Sequence, residues 1–137
     1  MTREELQNLS KKRLRESKYL IDGGFYDGGY YLCGYCIECA LKSVIAKNIP
    51  KNTFPDKTFA MNVYTHDLTQ LLRYSNLKAQ FDQDIATNMN LKTNWNIVKD
   101  WPEIKRYEFS SRVQAEDLYR AVSHRQNGVL KWLRQYW

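Results

Sequence analysis

The spacing of apolar positions predicts helices along the whole chain. Between Arg3 and Asp22, residues Leu6, Leu9, Arg13, Leu14, Ser17, Leu20 and Ile21 recur at helical intervals, while Lys11, Lys12, Arg15 and Lys18 take the other faces. Thr2 with Glu5 three residues on is a capping-box signature, and Gly23-Gly24 closes the helix. A second helix follows from Tyr26 to Lys47. Tyr26, Tyr30, Cys33, Ile37, Leu41 and Val44 form one face, and Leu32, Cys36, Cys39, Ala40 and Ser43 line the faces beside it. A helix that is apolar or small almost all round predicts a central, buried rod. The run YYLCGYCI would also suit a strand, but it continues without a turn into ECALKSVIAK, which favours helix.

Asn48–Val63 holds Pro50 and Pro55 with little periodicity and is read as a loop. Thr65 is placed to cap a short helix over His66–Tyr74, with Leu68, Leu71 and Leu72 inward. Phe81, Ile85 and Met89 mark a helix over Lys78–Met89, and Trp95 and Val98 mark another piece over Leu91–Lys99, broken at Trp101-Pro102. After a polar connection, Glu103–Ser111, a last helix is expected from Gln114 to Trp132. Its inward stripe is Leu118, Tyr119, Val122, Val129 and Leu130, continued by Leu133, and Arg120, His124, Asn127 and Lys131 share one polar line. No internal repeat is visible. The expectation is an all-α fold, one domain over residues 1–137, arranged as an antiparallel up-and-down bundle of four to five helices.

Composition narrows the function classes. Hydrophobic residues at 43% and charged residues at 26% over 137 positions describe a globular chain with a real core, not a disordered one. The formal charge of +6 is uneven: residues 1–49 carry +2, residues 50–90 carry 0 and residues 91–137 carry +4. That surplus favours polyanionic partners. The N-terminal stretch is charged and lacks the apolar segment of a secretory signal, and no apolar run approaches the roughly 20 residues needed to span a bilayer. A cytoplasmic protein without a membrane partner is therefore expected.

Four features bear on chemistry. Cys33, Cys36 and Cys39 repeat at intervals of three. Side chains at that spacing drift around a helix and do not converge on one point, so three small buried thiols are expected, with no metal and no cofactor. Glu38 lies inside the most apolar helix, where an unpaired carboxylate is costly, so it needs a cationic partner. His66 and His124 are the only histidines. The many aromatics, including Tyr30, Tyr31, Tyr35, Trp132, Tyr136 and Trp137, suit either base stacking or a core or dimer seam, and the core or seam is preferred. Two large aromatics in the tail invite a second copy of the chain to cover them.

Three segments in this order resemble the HEPN domain family. The first is the hairpin Tyr19–Lys47 with Tyr30 and the run GYCIECALKSVIAK, whose Glu38, Ala40, Leu41 and Lys42 resemble the family's Glu-x-Ala-Leu-Lys pattern. The second is Thr65-His66-Asp67-Leu68 with Leu71 and Leu72; the third is Arg106-Tyr107 followed by a final helix ending in Val129-Leu130-Lys131-Trp132-Leu133. The resemblance implies a helical bundle, commonly a homodimer, that binds nucleotide or RNA, and it offers His66 or Arg106 as the partner of Glu38. Many relatives work beside a minimal nucleotidyltransferase in toxin–antitoxin pairs or phage defence, which makes a nucleotidyltransferase antitoxin a candidate partner.

Several members of that family are metal-independent ribonucleases that carry an Arg, four to six residues, then a His. Here the nearest match is Arg120-Ala-Val-Ser-His124, with three residues between. On a continuous helix Arg120 and His124 fall one turn apart on one face, with Asn127 a turn later. His124 is then the candidate acid or base and Arg120 the phosphate clamp. Glu38, His66, Arg106, Asn127 and Lys131 are the candidate nucleotide- or RNA-binding residues.

Overall fold

Hydrogen bonding at the first residues already directs the chain into a helix. Glu5 N donates to Thr2 Oγ1 (3.2 Å) and Thr2 N donates to Glu5 Oε2 (2.7 Å), completing the capping box that starts α1 (Arg3–Asp22). The computed structural model describes residues 1–101 and 108–137. After a tight turn with Gly24 at φ +85°, α2 (Tyr26–Asn48) runs back along α1. Two buried serines show the antiparallel register: Ser10 Oγ donates to the carbonyl of Cys36 and Ser17 Oγ to that of Gly29, both at 2.7 Å. Small hydroxyl side chains at these points let the two backbones approach closely and satisfy the donors they bury.

Six shorter helices complete the described structure: α3 (Lys57–Val63), α4 (Leu68–Tyr74), α5 (Lys78–Thr87), α6 (Met89–Lys99), α7 (Arg112–Ser123) and α8 (Val129–Arg134). The fold is all-α, a helical bundle with no strand among the described residues. α2 lies at its centre, in contact with α1, α4, α7 and α8. Cys33, Cys36, Ile37, Ala40, Leu41 and Val44 of α2 are almost wholly buried against Leu71 and Leu72, Ala115 and Leu118, and Val129 and Leu133. No helix among the described residues is long and apolar enough to cross a membrane.

The observed helices differ from the predicted ones in four places. The stretch expected to be a loop contains α3, capped by Asp56, whose carboxylate accepts from Phe59 N at 3.1 Å. The third predicted helix begins at Leu68, because Asp67 and not Thr65 is its cap; Thr65 Oγ1 instead accepts from Asp67 N. The break between α5 and α6 falls at Asn88, which caps α6 through Leu91 N, so Met89 opens the second helix instead of ending the first. The last predicted helix is two, separated by a turn at His124–Gly128. The expected polar line of Arg120, His124, Asn127 and Lys131 is therefore not one face of one helix.

Close approach also governs the other side of α2. A Cβ placed on Gly34 would collide with the indole of Trp101, which lies directly against the glycine. Gly34→Ala is expected to destabilise the protein by about 2 kcal/mol, because the indole cannot move without opening the core. Gly28→Ala is the control: its Cβ would meet only the tip of Leu20, at 3.2 Å. Chemical denaturation of both variants checks this, and equal stabilities would refute the packing argument.

The three cysteines are free and buried. Burial pushes the Cys36 thiol up to about 12 and the Cys39 thiol to about 11, and carries Cys33 well above the usual thiol value. At pH 8 all three therefore remain protonated and screened from reagent. A disulfide-exchange reagent should leave the folded protein unmodified at that pH and titrate three thiols once it is denatured.

Candidate functional site

Glu38 is the one buried carboxylate of α2, 3% exposed, and its two oxygens are divided between two bases. Lys42, one turn further along α2, donates from Nζ to Oε1 at 2.7 Å. His66 stands opposite, with Nδ1 2.8 Å from Oε2. An ionised carboxylate only accepts, so Nδ1 carries the proton and donates. The sequence requirement that Glu38 have a cationic or hydrogen-bonding partner is met by His66, together with Lys42 from its own helix. Arg106, the other candidate, lies outside the described residues.

His66 reaches Glu38 because of how α4 is held. Leu68, Leu71 and Leu72 bury α4 against α2, and Asp67 fixes its first turn. Gln70 Nε2 donates to the carbonyl of Asn62 at 2.8 Å, tying the end of α3 to the start of α4. His66 sits in this corner. Its ring also meets Tyr35 edge-on at 5.7 Å, and Tyr35 in turn contacts Tyr31 at 5.0 Å and Trp101 at 5.7 Å. Tyr31 and Tyr35 of α2 thus form one run of edge contacts with Trp101 and His66 beside the acid.

Lys42 faces two ways. It is anchored by Glu38, and it also lines an apolar cleft of about 360 Å³ whose walls include Ile45, Ala46, Ile49, Phe59 and Val63. The C-terminal part of α2 and residues of α3 both line the cleft. A flat or apolar group fits these walls. Sequence reasoning missed this cleft because it read residues 48–63 as a loop. The available signal was Asp56 three residues before Phe59, with Val63 four further on: a cap followed by an apolar i, i+4 pair.

The Arg120/His124 pair is arranged otherwise than a continuous helix would have it. The Arg120 guanidinium turns back along α7, donating to Asp117 Oδ1 at 2.8 Å. His124 caps the C-terminus of α7, and its Nδ1 accepts the backbone N–H groups of Gln126 and Asn127 at 3.2 and 3.0 Å. Asn127 is held by α6: its side-chain oxygen accepts from Asn88 and its carbonyl from Asn94. His124 and Asn127 do come together, with Asn90, Thr93, Asn94 and Gln126, around an open polar groove of about 340 Å³. Arg120 does not line it, and Lys131 is exposed on α8.

The tail aromatics find their packing inside the chain. Trp132 is buried, stacks edge-on against Phe81 at 4.9 Å and donates from Nε1 to Asp84 at 2.7 Å. Tyr136 packs on Trp132, and Trp137 lies under the cations of Lys11 and Arg134. They do not by themselves call for a second copy to cover them.

If the shared carboxylate couples the two bases, then Glu38→Gln and His66→Gln will not be additive. A double-mutant cycle followed by urea unfolding should return a coupling of about 1 kcal/mol, reduced from that of a fully buried pair because His66 is part-exposed. Additive effects would show that the 2.8 Å contact contributes nothing to stability.

No protein-family model matches this chain, and neither a curated protein nor a solved structure does.

Proposed function

We propose that this protein is a cytoplasmic HEPN-like domain that binds a nucleotide unit, free or within RNA, at the cleft beside Glu38, Lys42 and His66. The observation that carries the reading is Lys42. Its ammonium is held by a buried carboxylate, and the residue also lines an apolar cleft large enough for a planar base. A base would lie between Ile45, Ile49 and Phe59, with its phosphate at Lys42. The basic surplus of the chain and the order of the Glu-x-Ala-Leu-Lys and Thr-His-x-Leu segments support the same reading. In the HEPN-like arrangement the protein works as a homodimer, in a toxin–antitoxin or phage-defence setting beside a nucleotidyltransferase.

Calorimetric titration with adenosine, AMP and a short single-stranded RNA checks the assignment. AMP should bind more tightly than adenosine, by about tenfold for one phosphate contact worth about 1.4 kcal/mol. Lys42→Met should remove that difference, and Lys42→Arg should restore part of it. Equal binding of adenosine and AMP, or an unaltered preference in Lys42→Met, would overturn the assignment. Cleavage of the RNA in EDTA, abolished by His124→Ala, would replace it with an endoribonuclease acting through His124 and Arg120.

A further inference from the structure

In the polar groove beside α6, three side chains are each held through one polar atom and keep another uncommitted. Asn88 Oδ1 accepts from Leu91 N at 3.1 Å, so its Nδ2 is the atom that donates to Asn127, and the Asn127 atom receiving it at 3.0 Å is Oδ1. Asn94 Nδ2 donates to the Asn127 carbonyl at 2.8 Å. His124 Nδ1 accepts two backbone N–H groups and so carries no proton; the neutral ring then holds its proton on Nε2. The hydrogen-bond pattern thus assigns each atom. His124 Nε2–H and Asn127 Nδ2 are donors, and Asn94 Oδ1 is an acceptor. Among the described residues none of these three atoms has a hydrogen-bond partner, nor has the side-chain amide of Asn90 or Gln126.

The lining of the groove, about 340 Å³ in volume, narrows what it can take. No Lys, Arg, Asp or Glu lines it among the described residues, so no fixed charge is there to meet an ion. No Phe, Tyr or Trp offers a face for a nucleobase or a sugar ring. What remains is a set of neutral donors and acceptors, the complement of a peptide unit with its one N–H and one C=O. The spacing agrees. Asn90 and Asn94 lie one turn apart on α6, about 6 Å along its axis. Alternate residues of an extended chain direct their N–H and C=O to the same side and repeat every 6.6 Å or so, about the same interval. Asn90, Thr93, Asn94 and Ile97 stand at i, i+3, i+4 and i+7, so this face of α6 runs on from the amides to an apolar side chain, Ile97, which is 38% exposed. A peptide whose backbone lies at the asparagines would cover it with one apolar side chain. Because Asn94, His124 and Asn127 are already anchored, they lose little freedom when a ligand takes their remaining atoms.

We infer that the groove between α6 and the turn at His124–Gly128 binds the backbone of an extended, uncharged peptide segment of a partner protein, through Asn90, Asn94, His124 and Asn127. No residue lines both this groove and the cleft at Lys42, so the site does not depend on the nucleotide-binding reading.

A random heptapeptide library displayed on phage, depleted on Asn90→Ala/His124→Asn and then selected on the wild-type chain, is the probe. Both substitutions spare the fold. Asn90 is exposed on a helix, where alanine is favourable, and an asparagine at position 124 keeps an acceptor for the two backbone amides while removing the Nε2–H. Peptides that emerge, resynthesised with blocked ends and a fluorescein label, should bind the double variant about tenfold more weakly than the wild type by fluorescence polarisation. N-methylation of the peptide backbone should weaken binding to the wild type by about tenfold at two alternate residues, and leave it unchanged at the residue between them. This second series uses the wild type alone and stands even if the double variant loses its fold.

Absence of any peptide enriched on the wild type over the depleting variant overturns the inference. Binding that falls with side-chain truncation of the peptide but not with N-methylation overturns it in favour of a side-chain pocket. Displacement of the peptide by AMP or by maltose overturns it in favour of a nucleotide or sugar site.

Discussion

Thirteen of the 23 residues of α2 are buried, among them Glu38, and covering this helix is the task to which the other elements are fitted. An apolar rod can be enclosed from any direction, but a carboxylate within it imposes one. Its desolvation costs several kcal/mol unless both oxygens find donors with good geometry. Lys42 supplies one from the same helix, and the other comes from His66, in the corner between α3 and α4. The acid therefore decides where that corner must sit. Since α3 has no buried residue of its own, its place depends on the corner and on the apolar cleft it helps to form.

This arrangement separates two uses of aromatic and cationic side chains. Phe81, Trp95 and Trp132 meet edge-on in the core, and the indole N–H of Trp132 is satisfied by Asp84. There the rings hold α5, α6 and α8 together. At Trp137 an aromatic instead orders cations at the surface. Near Glu38 a third arrangement occurs: Tyr31, Tyr35 and Trp101 pack on one another over Gly34, whose missing side chain makes room for the indole. Composition counts these rings alike, yet their roles differ with what lies beneath them.

The turn at His124–Gly128 illustrates how tertiary contacts override a local pattern. Val122, Val129, Leu130 and Leu133 keep helical spacing across it, which is why one helix was expected. Asn88, the cap of α6, and Asn94 within it instead capture Asn127, and His124 folds its ring nitrogen over the amides that follow. Asparagine and histidine side chains compete with the helix for backbone groups, and neighbouring α6 tips the balance. Arg120 turns back to Asp117 on α7, while His124 lines the polar groove beside α6.

The sequence alone determined the helical class, the span of the first two helices, the burial of α2 and the need of Glu38 for a partner. All of these follow from periodicity over many residues or from the cost of an isolated buried charge, neither of which depends on knowing the fold. Only the tertiary structure decided which base meets Glu38, that α3 and the cleft exist, that the last helix divides, and that Lys11, Arg134 and Trp137 converge from opposite ends of the chain. Those outcomes rest on contacts between residues far apart in sequence, between short segments whose own propensities are nearly balanced, and there packing chooses the conformation.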